Sequence, residues 1–154
     1  MAAYDRALRL LTVRARGRAE LAADLERRGF SKASVREALD RLAGQSLLDD
    51  LAAARSLVRV KSARYGRARI ERELSARGFS AETIAAALAE ADSSGEEKSL
   101  ERAFAKLWAS SAGTPRQRRR QRVWSALVRR GFAAARVSEI MKGSHDDDEI
   151  DRGP

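Results

Sequence analysis

The side chains with the most chemical capacity in this chain are its arginines, and they are unevenly spread. No acid lies between Asp50 and Glu71, where Arg55, Arg59, Lys61, Arg64, Arg67 and Arg69 fall, with Arg72 just beyond. A second acid-free interval, from Glu101 to Glu139, carries ten bases: Arg102, Lys106, Arg116, Arg118, Arg119, Arg120, Arg122, Arg129, Arg130 and Arg136. Such blocks attract polyanions, and the whole chain carries a formal charge of +9. Aromatics stand among the bases, Tyr65 in the first block and Trp124 close to Arg118, Arg119, Arg120 and Arg122 in the second. Phosphate pairing together with base stacking is what single-stranded nucleic acid asks of a protein. Two readings stay open for each block, a solvated helix face or a phosphate contact. Trp124 is either a stacking platform or a core residue beside Val123.

Other chemistries find less support. Asp49 and Asp50 are adjacent, so on a helix they point in different directions. Capping a helix start, where carboxylates satisfy free N–H groups, fits them better than a metal or acid/base pair. His145 stands in HDDDE without a preorganised ligand set, so a solvated tail is expected there. The absence of cysteine excludes disulfides, thiolate chemistry and Cys-based metal sites. GRARIERELSARG lacks the spacing of a phosphate loop, and no nucleophile has a base partner. The expectation is a binding protein with no catalytic residue, metal or cofactor. No run approaches the ~20 apolar residues of a membrane span. Charge appears in the N-terminal segment by Asp5, unlike a signal peptide, so a soluble cytoplasmic protein is expected.

Helices must hold these side chains in place. Two prolines and ten glycines in 154 residues, with long runs of Ala, Leu, Arg and Glu, predict helix nearly everywhere. Aromatics at 5% predict a thin core spread along the chain. LERRGF at residues 25–30 recurs as LSARGF at 74–79 and LVRRGF at 127–132. In each copy glycine suits the left-handed residue just past a helix end, and the leucine of the last turn meets the phenylalanine beyond it. The repeated structural set is therefore Leu25, Gly29 and Phe30; Leu74, Gly78 and Phe79; Leu127, Gly131 and Phe132. Ser31 and Ser80 are expected to cap the following helices, whereas Ala133 offers a weaker cap in the third copy.

The three glycines, at 29, 78 and 131, are 49 and 53 residues apart, so the third unit holds about four extra residues. SSAGTPRQ at 110–117 is the expected place for them. Each interval also has room for an upstream helix, near residues 2–14, 49–65 and 96–109, and Gly44 is expected to stop the helix before Leu48. These signals predict an all-α chain of three tandem three-helix repeats forming an elongated, curved helical array. The repeats are expected at 1–48, 49–95 and 96–143, followed by an acidic, disordered tail at 144–154.

ALRLLTVRARGRAELAADLERRGF resembles the opening unit of the RecX family of regulators of the RecA recombinase. LLDDLAAARSLVRVKSARYGRARIERELSARGF resembles that family's central Leu-Asp-Asp segment, basic stretch, Gly-x-x-x-Ile and Leu-x-x-x-Gly. The likeness runs from about Tyr4 to Lys142, with Asp49 and Asp50 as the family's aspartates at a helix start. Ala53 departs from the aromatic usual shortly after that pair, which bears on how the second unit's first helix packs. The resemblance implies a protein that binds the RecA filament in its helical groove; a monomer is expected, meeting single-stranded DNA directly or through RecA. It also implies lowered filament extension, ATPase, strand exchange and SOS co-protease activity. The residues expected to meet filament or nucleic acid are Arg55, Arg59, Lys61, Arg64, Arg67, Arg69, Arg72, Arg116, Arg118, Arg119, Arg120, Arg122, Arg129 and Arg130.

A competing reading takes the glycine turn as part of a helix-turn-helix DNA reader acting without RecA. Its recognition helix would need Arg, Lys, Asn or Gln for base edges. SAETIAAALAEAD has none of these and carries Glu82, Glu90 and Asp92.

Overall fold

The computed structural model describes residues 2–91 and 93–150. Its helices are α1 (Ala2–Val13), α2 (Arg18–Arg27), α3 (Lys32–Gly44), α4 (Asp50–Lys61), α5 (Arg67–Ala76), α6 (Ala81–Ala89), α7 (Ser93–Ser110), α8 (Arg116–Arg129) and α9 (Ala134–Ile150). Among the described residues there is no strand, and the helices fall into three successive sets of three.

One backbone device, used three times, joins the second helix of each set to the third. Gly29, Gly78 and Gly131 adopt φ of 88°, 78° and 89°, which an L side chain would strain. Phe30 N–H donates to the Leu25 carbonyl at 3.2 Å and Gly29 N–H to the Glu26 carbonyl at 2.9 Å. The same two bonds recur from Phe79 to Leu74 and Gly78 to Ser75, and from Phe132 to Leu127 and Gly131 to Val128. Together they satisfy carbonyls that a helix end would otherwise leave bare. The next helix starts on Ser31 Oγ, which accepts from Ser34 N–H at 3.2 Å, and on Ser80 Oγ, which accepts from Thr83 N–H at 3.1 Å. At α9 the methyl of Ala133 can accept nothing.

Apolar residues at helical spacing close the cores. Ala7, Leu10, Leu21, Leu25, Val35, Leu39, Leu42 and Leu48 form the first set's cluster. Leu100, Ala103, Val123, Leu127, Phe132, Val137 and Met141 form the third's. Leu21 and Val123 stand eight residues before their turn glycines, and Leu39 and Met141 ten after.

The chain divides into two compact units, Met1–Val60 with Glu71–Ala91, and Lys61–Ile70 with Asp92–Pro154. The middle set of helices thus contributes to both. Inside the first unit, Gly17, the N-cap of α2, sits on the Gly78 turn, and its N–H donates to the Arg77 carbonyl at 2.7 Å. Inside the second, Gly66 sits on the Gly131 turn in the same way, with its N–H on the Arg130 carbonyl at 2.8 Å and Ala68 N–H on the Gly131 carbonyl at 3.3 Å. A Cβ on Gly17 would lie 2.1 Å from the Gly78 oxygen, and one on Gly66 2.4 Å from the Gly131 carbonyl carbon. The segments Gly17-x-x-x-Leu21 and Gly66-x-x-x-Ile70 are therefore plugs, and Leu-x-x-x-Gly-Phe is the socket that receives each. The first socket is open to solvent: a Cβ added to Gly29 would meet nothing within 4 Å among the described residues.

Three helix boundaries differ from expectation. The four extra residues are not in the loop before α8, because α4–α5 and α7–α8 are both joined by five residues, 62–66 and 111–115. They lengthen the helix, since α8 has 14 residues where α5 has 10, and its added first turn is Arg116–Gln117–Arg118–Arg119. Gly44 is the last residue of α3, as expected, but it is not the left-handed residue of the stop. Ser46, with φ 56°, takes the left-handed position, and Leu47 N–H returns to the Leu42 carbonyl at 2.9 Å, a register that leaves Leu42 and Leu48 buried. The helix expected over 49–65 ends at Lys61, because residues 62–65 lead the chain into the Gly66 plug. The backbone of α9 is helical to Ile150, past the expected start of the tail at 144, while residues 151–154 and the side chains of 144–150 lie outside the described ones.

Candidate nucleic-acid interface

The plug at Gly66 brings cations from four segments of the second unit around one cavity of about 630 Å³. Arg64 and Tyr65 come from the α4–α5 loop, Arg69 from α5, Arg102 and Lys106 from α7, and Arg130 from the Gly131 turn. Among the described residues no carboxylate lines this cavity. Ser99 Oγ, on a buried residue, donates to the Ser62 carbonyl at 2.6 Å and so ties α7 to the loop. Glu96 Oε1 accepts from Arg67 N–H at 3.0 Å, which satisfies the start of α5. The Arg69 guanidinium lies 4.2 Å from the Tyr65 ring centre, with Lys61 Nζ at 5.6 Å. Five like charges around one opening repel each other, and a bound polyanion relieves that repulsion.

Arg102 and Lys106 stand out in sequence only as members of a charge block. Their (i, i+4) spacing on α7, which puts them on one face, was the available signal.

The other expected residues divide by what they touch. Arg55 makes two bonds of 2.6 Å to the Glu90 carboxylate, so its charge is answered within the first unit. That hydrogen bond holds Glu90 below the usual carboxylate range and raises the Arg55 guanidinium. Arg59 and Arg72 are exposed on α4 and α5 of the same unit. Arg119 has its guanidinium 3.9 Å from the Trp108 ring centre and also donates to the Trp108 carbonyl through Nε at 3.1 Å. Its work is to anchor the added turn of α8. Arg120 donates to the Met141 carbonyl at 3.3 Å, whereas Arg116, Arg118 and Arg122 are exposed along α8. Arg122 and Arg129 border a separate cavity of about 450 Å³ beside Leu107 and Val123. Trp124 is 38% exposed, so it is not a core residue.

The two aspartates have separate duties. Asp49 Oδ1 accepts from Ala52 N–H at 2.9 Å and caps α4. Asp50, the first residue of α4, reaches back and accepts from Arg18 N–H with both oxygens at 3.1 Å, capping α2. Burial raises the Asp50 carboxyl above its ordinary value, against the lowering effect of the Arg18 N–H and charge. Among the described residues no cluster of His, Cys, Asp or Glu could hold a metal ion, and no helix is long and apolar enough to cross a membrane.

Residues 3–42 match the family model for the first three-helix domain of RecX, and residues 49–88 match that for the second. Regulatory protein RecX of Halorhodospira halophila is 39% identical over 158 residues, covering 99% of this chain and 93% of its own. The chain belongs to the RecX family. Regulatory protein RecX of Mycobacterium leprae is 33% identical over 137 residues, or 87% of this chain and 80% of that one. A crystal structure of a regulatory protein RecX superposes with a TM-score of 0.77 at 28% identity, covering 92% of this chain and 72% of that chain. RecX is a family of regulatory proteins rather than of enzymes, and a regulatory role follows for this chain.

Proposed function

We propose that this RecX protein is a mainly negative modulator of RecA, binding the RecA filament on single-stranded DNA in its helical groove and limiting filament extension. ATP hydrolysis, strand exchange and SOS co-protease activity fall as a consequence. The observation that carries the reading is the cavity ringed by Arg64, Arg69, Arg102, Lys106 and Arg130 without a carboxylate among its described lining. A nucleoprotein filament presents phosphates and acidic side chains in regular array, which is the complement of such a surface. Adjoining contacts on a repeating partner raise the effective concentration of the next contact.

The helix-turn-helix alternative is less well supported, because α6, the helix after the middle turn, carries Glu82 and no base. The test is RecA-dependent ATP hydrolysis on single-stranded DNA with increasing amounts of this protein. Inhibition at low micromolar concentration is expected. Undiminished hydrolysis contradicts the proposal.

A further inference from the structure

Three of the chain's four tyrosines and tryptophans already lie under a guanidinium: Tyr4 under Arg41 at 4.6 Å, Tyr65 under Arg69 at 4.2 Å and Trp108 under Arg119 at 3.9 Å. Trp108 is also stacked on Phe104, with ring centres 5.6 Å apart. Among the described residues Trp124 has neither a stacked ring nor an overlying cation, and it is the more open of the two tryptophans. Its indole N–H donates to Ser138 Oγ at 3.3 Å, which fixes the ring's orientation between α8 and α9.

The groove beside it, of about 510 Å³, is built by helical spacing. Gln117, Arg120, Gln121 and Trp124 follow one face of α8, and Ser138 and Lys142 line the opposite wall on α9. Gln117 belongs to the added turn, so this groove is longer than the corresponding helix of the other two sets would allow. Glu139, next to Ser138 in sequence, is engaged by Arg136. An aromatic ring supplies a stacking surface, the amides supply donors and acceptors, and Arg120 and Lys142 supply charge for phosphate.

We propose that Trp124 is a stacking platform for an unpaired nucleobase of single-stranded nucleic acid, with Gln117 and Gln121 facing the base edge and Arg120 and Lys142 the flanking phosphates. This deepens the reading of the second unit as a nucleic-acid surface and rests on it. A duplex has its base faces already stacked and offers the ring nothing comparable.

The experiment uses the full chain carrying Trp108→Phe, in which Trp124 is the only fluorophore of its kind. It is titrated with an oligothymidylate of about 15 nucleotides and with an abasic tetrahydrofuran oligomer of equal length and charge. The expected result is quenching of indole emission by oligothymidylate and roughly ten-fold tighter binding of it than of the abasic oligomer. Trp124→Ala removes that preference and Trp124→Phe keeps most of it. The paired change Arg102→Glu, Lys106→Glu weakens both oligomers alike. Equal affinity for the two oligomers, or unchanged emission while anisotropy reports binding, overturns the platform and leaves the cation cavity standing. Binding of neither oligomer at low salt overturns both.

Discussion

Gly17 and Gly29 are both glycines at helix boundaries, yet they resist substitution for opposite reasons. Gly17 has φ −73°, a conformation any residue adopts, but its missing side chain leaves room for the Gly78 carbonyl. Gly29 has φ 88° and open space around it. Gly17→Ala must displace a backbone and is expected to cost about 3 kcal/mol, whereas Gly29→Ala costs about 1 kcal/mol of left-handed strain. Urea unfolding of the two variants checks this, and equal losses would refute the plug. Asp50 supplies a second case. Because burial raises its pKa in the folded chain, its contribution to stability is fully present below the unfolded value and is lost as pH rises through the folded one. Asp50→Asn removes that slope, so the variant should gain stability relative to the parent between acidic and neutral pH. A pH-independent difference would count against the assignment. The turn residues Leu25, Gly29 and Phe30 were legible in the sequence because their bonds span five residues or fewer. The docking role of Gly17 and the capping of Arg18 by Asp50 were not, because each partner lies far along the chain and local pattern carries no trace of it.

Among the helices, α8 departs from its counterparts α2 and α5. Its four added residues make a basic helix start where the sequence suggested a loop insertion, and SSAGTPRQ disguised this because Gly113 and Pro115 read as a longer loop. Within the added turn, neighbouring arginines have unlike duties. Arg119 covers Trp108 and bonds its carbonyl, while Arg118 is exposed. Arg119→Ala is therefore expected to lower stability by about 1–2 kcal/mol, and Arg118→Ala to leave melting unchanged while weakening oligonucleotide binding. Thermal melts and anisotropy titrations on the same two proteins separate the effects. The reverse assignment would show that the turn is organised differently. Charge alone could not make this distinction in the sequence, since both residues belong to one run of arginines.

For the chain as a whole, the number of repeats, their order and their helical class were readable from the spacing of three glycines. The grouping of cations was not, because it depends on the Gly66 plug bringing α5, α7 and the Gly131 turn to one cavity. Arg55 shows the converse, since a base in an acid-free block turns out to be paired with Glu90 from another segment. If the five cations of the cavity neutralise about four phosphates of a single strand, log K against log salt should slope near about −3. Affinity indifferent to salt would exclude direct phosphate contact. The regulatory reading is tested by comparing the parent with Arg102→Glu, Lys106→Glu for inhibition of RecA-driven ATP hydrolysis on single-stranded DNA, after confirming that both melt alike. The parent should inhibit at low micromolar concentration and the variant only at concentrations at least about ten-fold higher, as befits two reversed phosphate or carboxylate contacts. Equal inhibition by the two proteins would contradict the assignment of the cavity as the filament-binding surface.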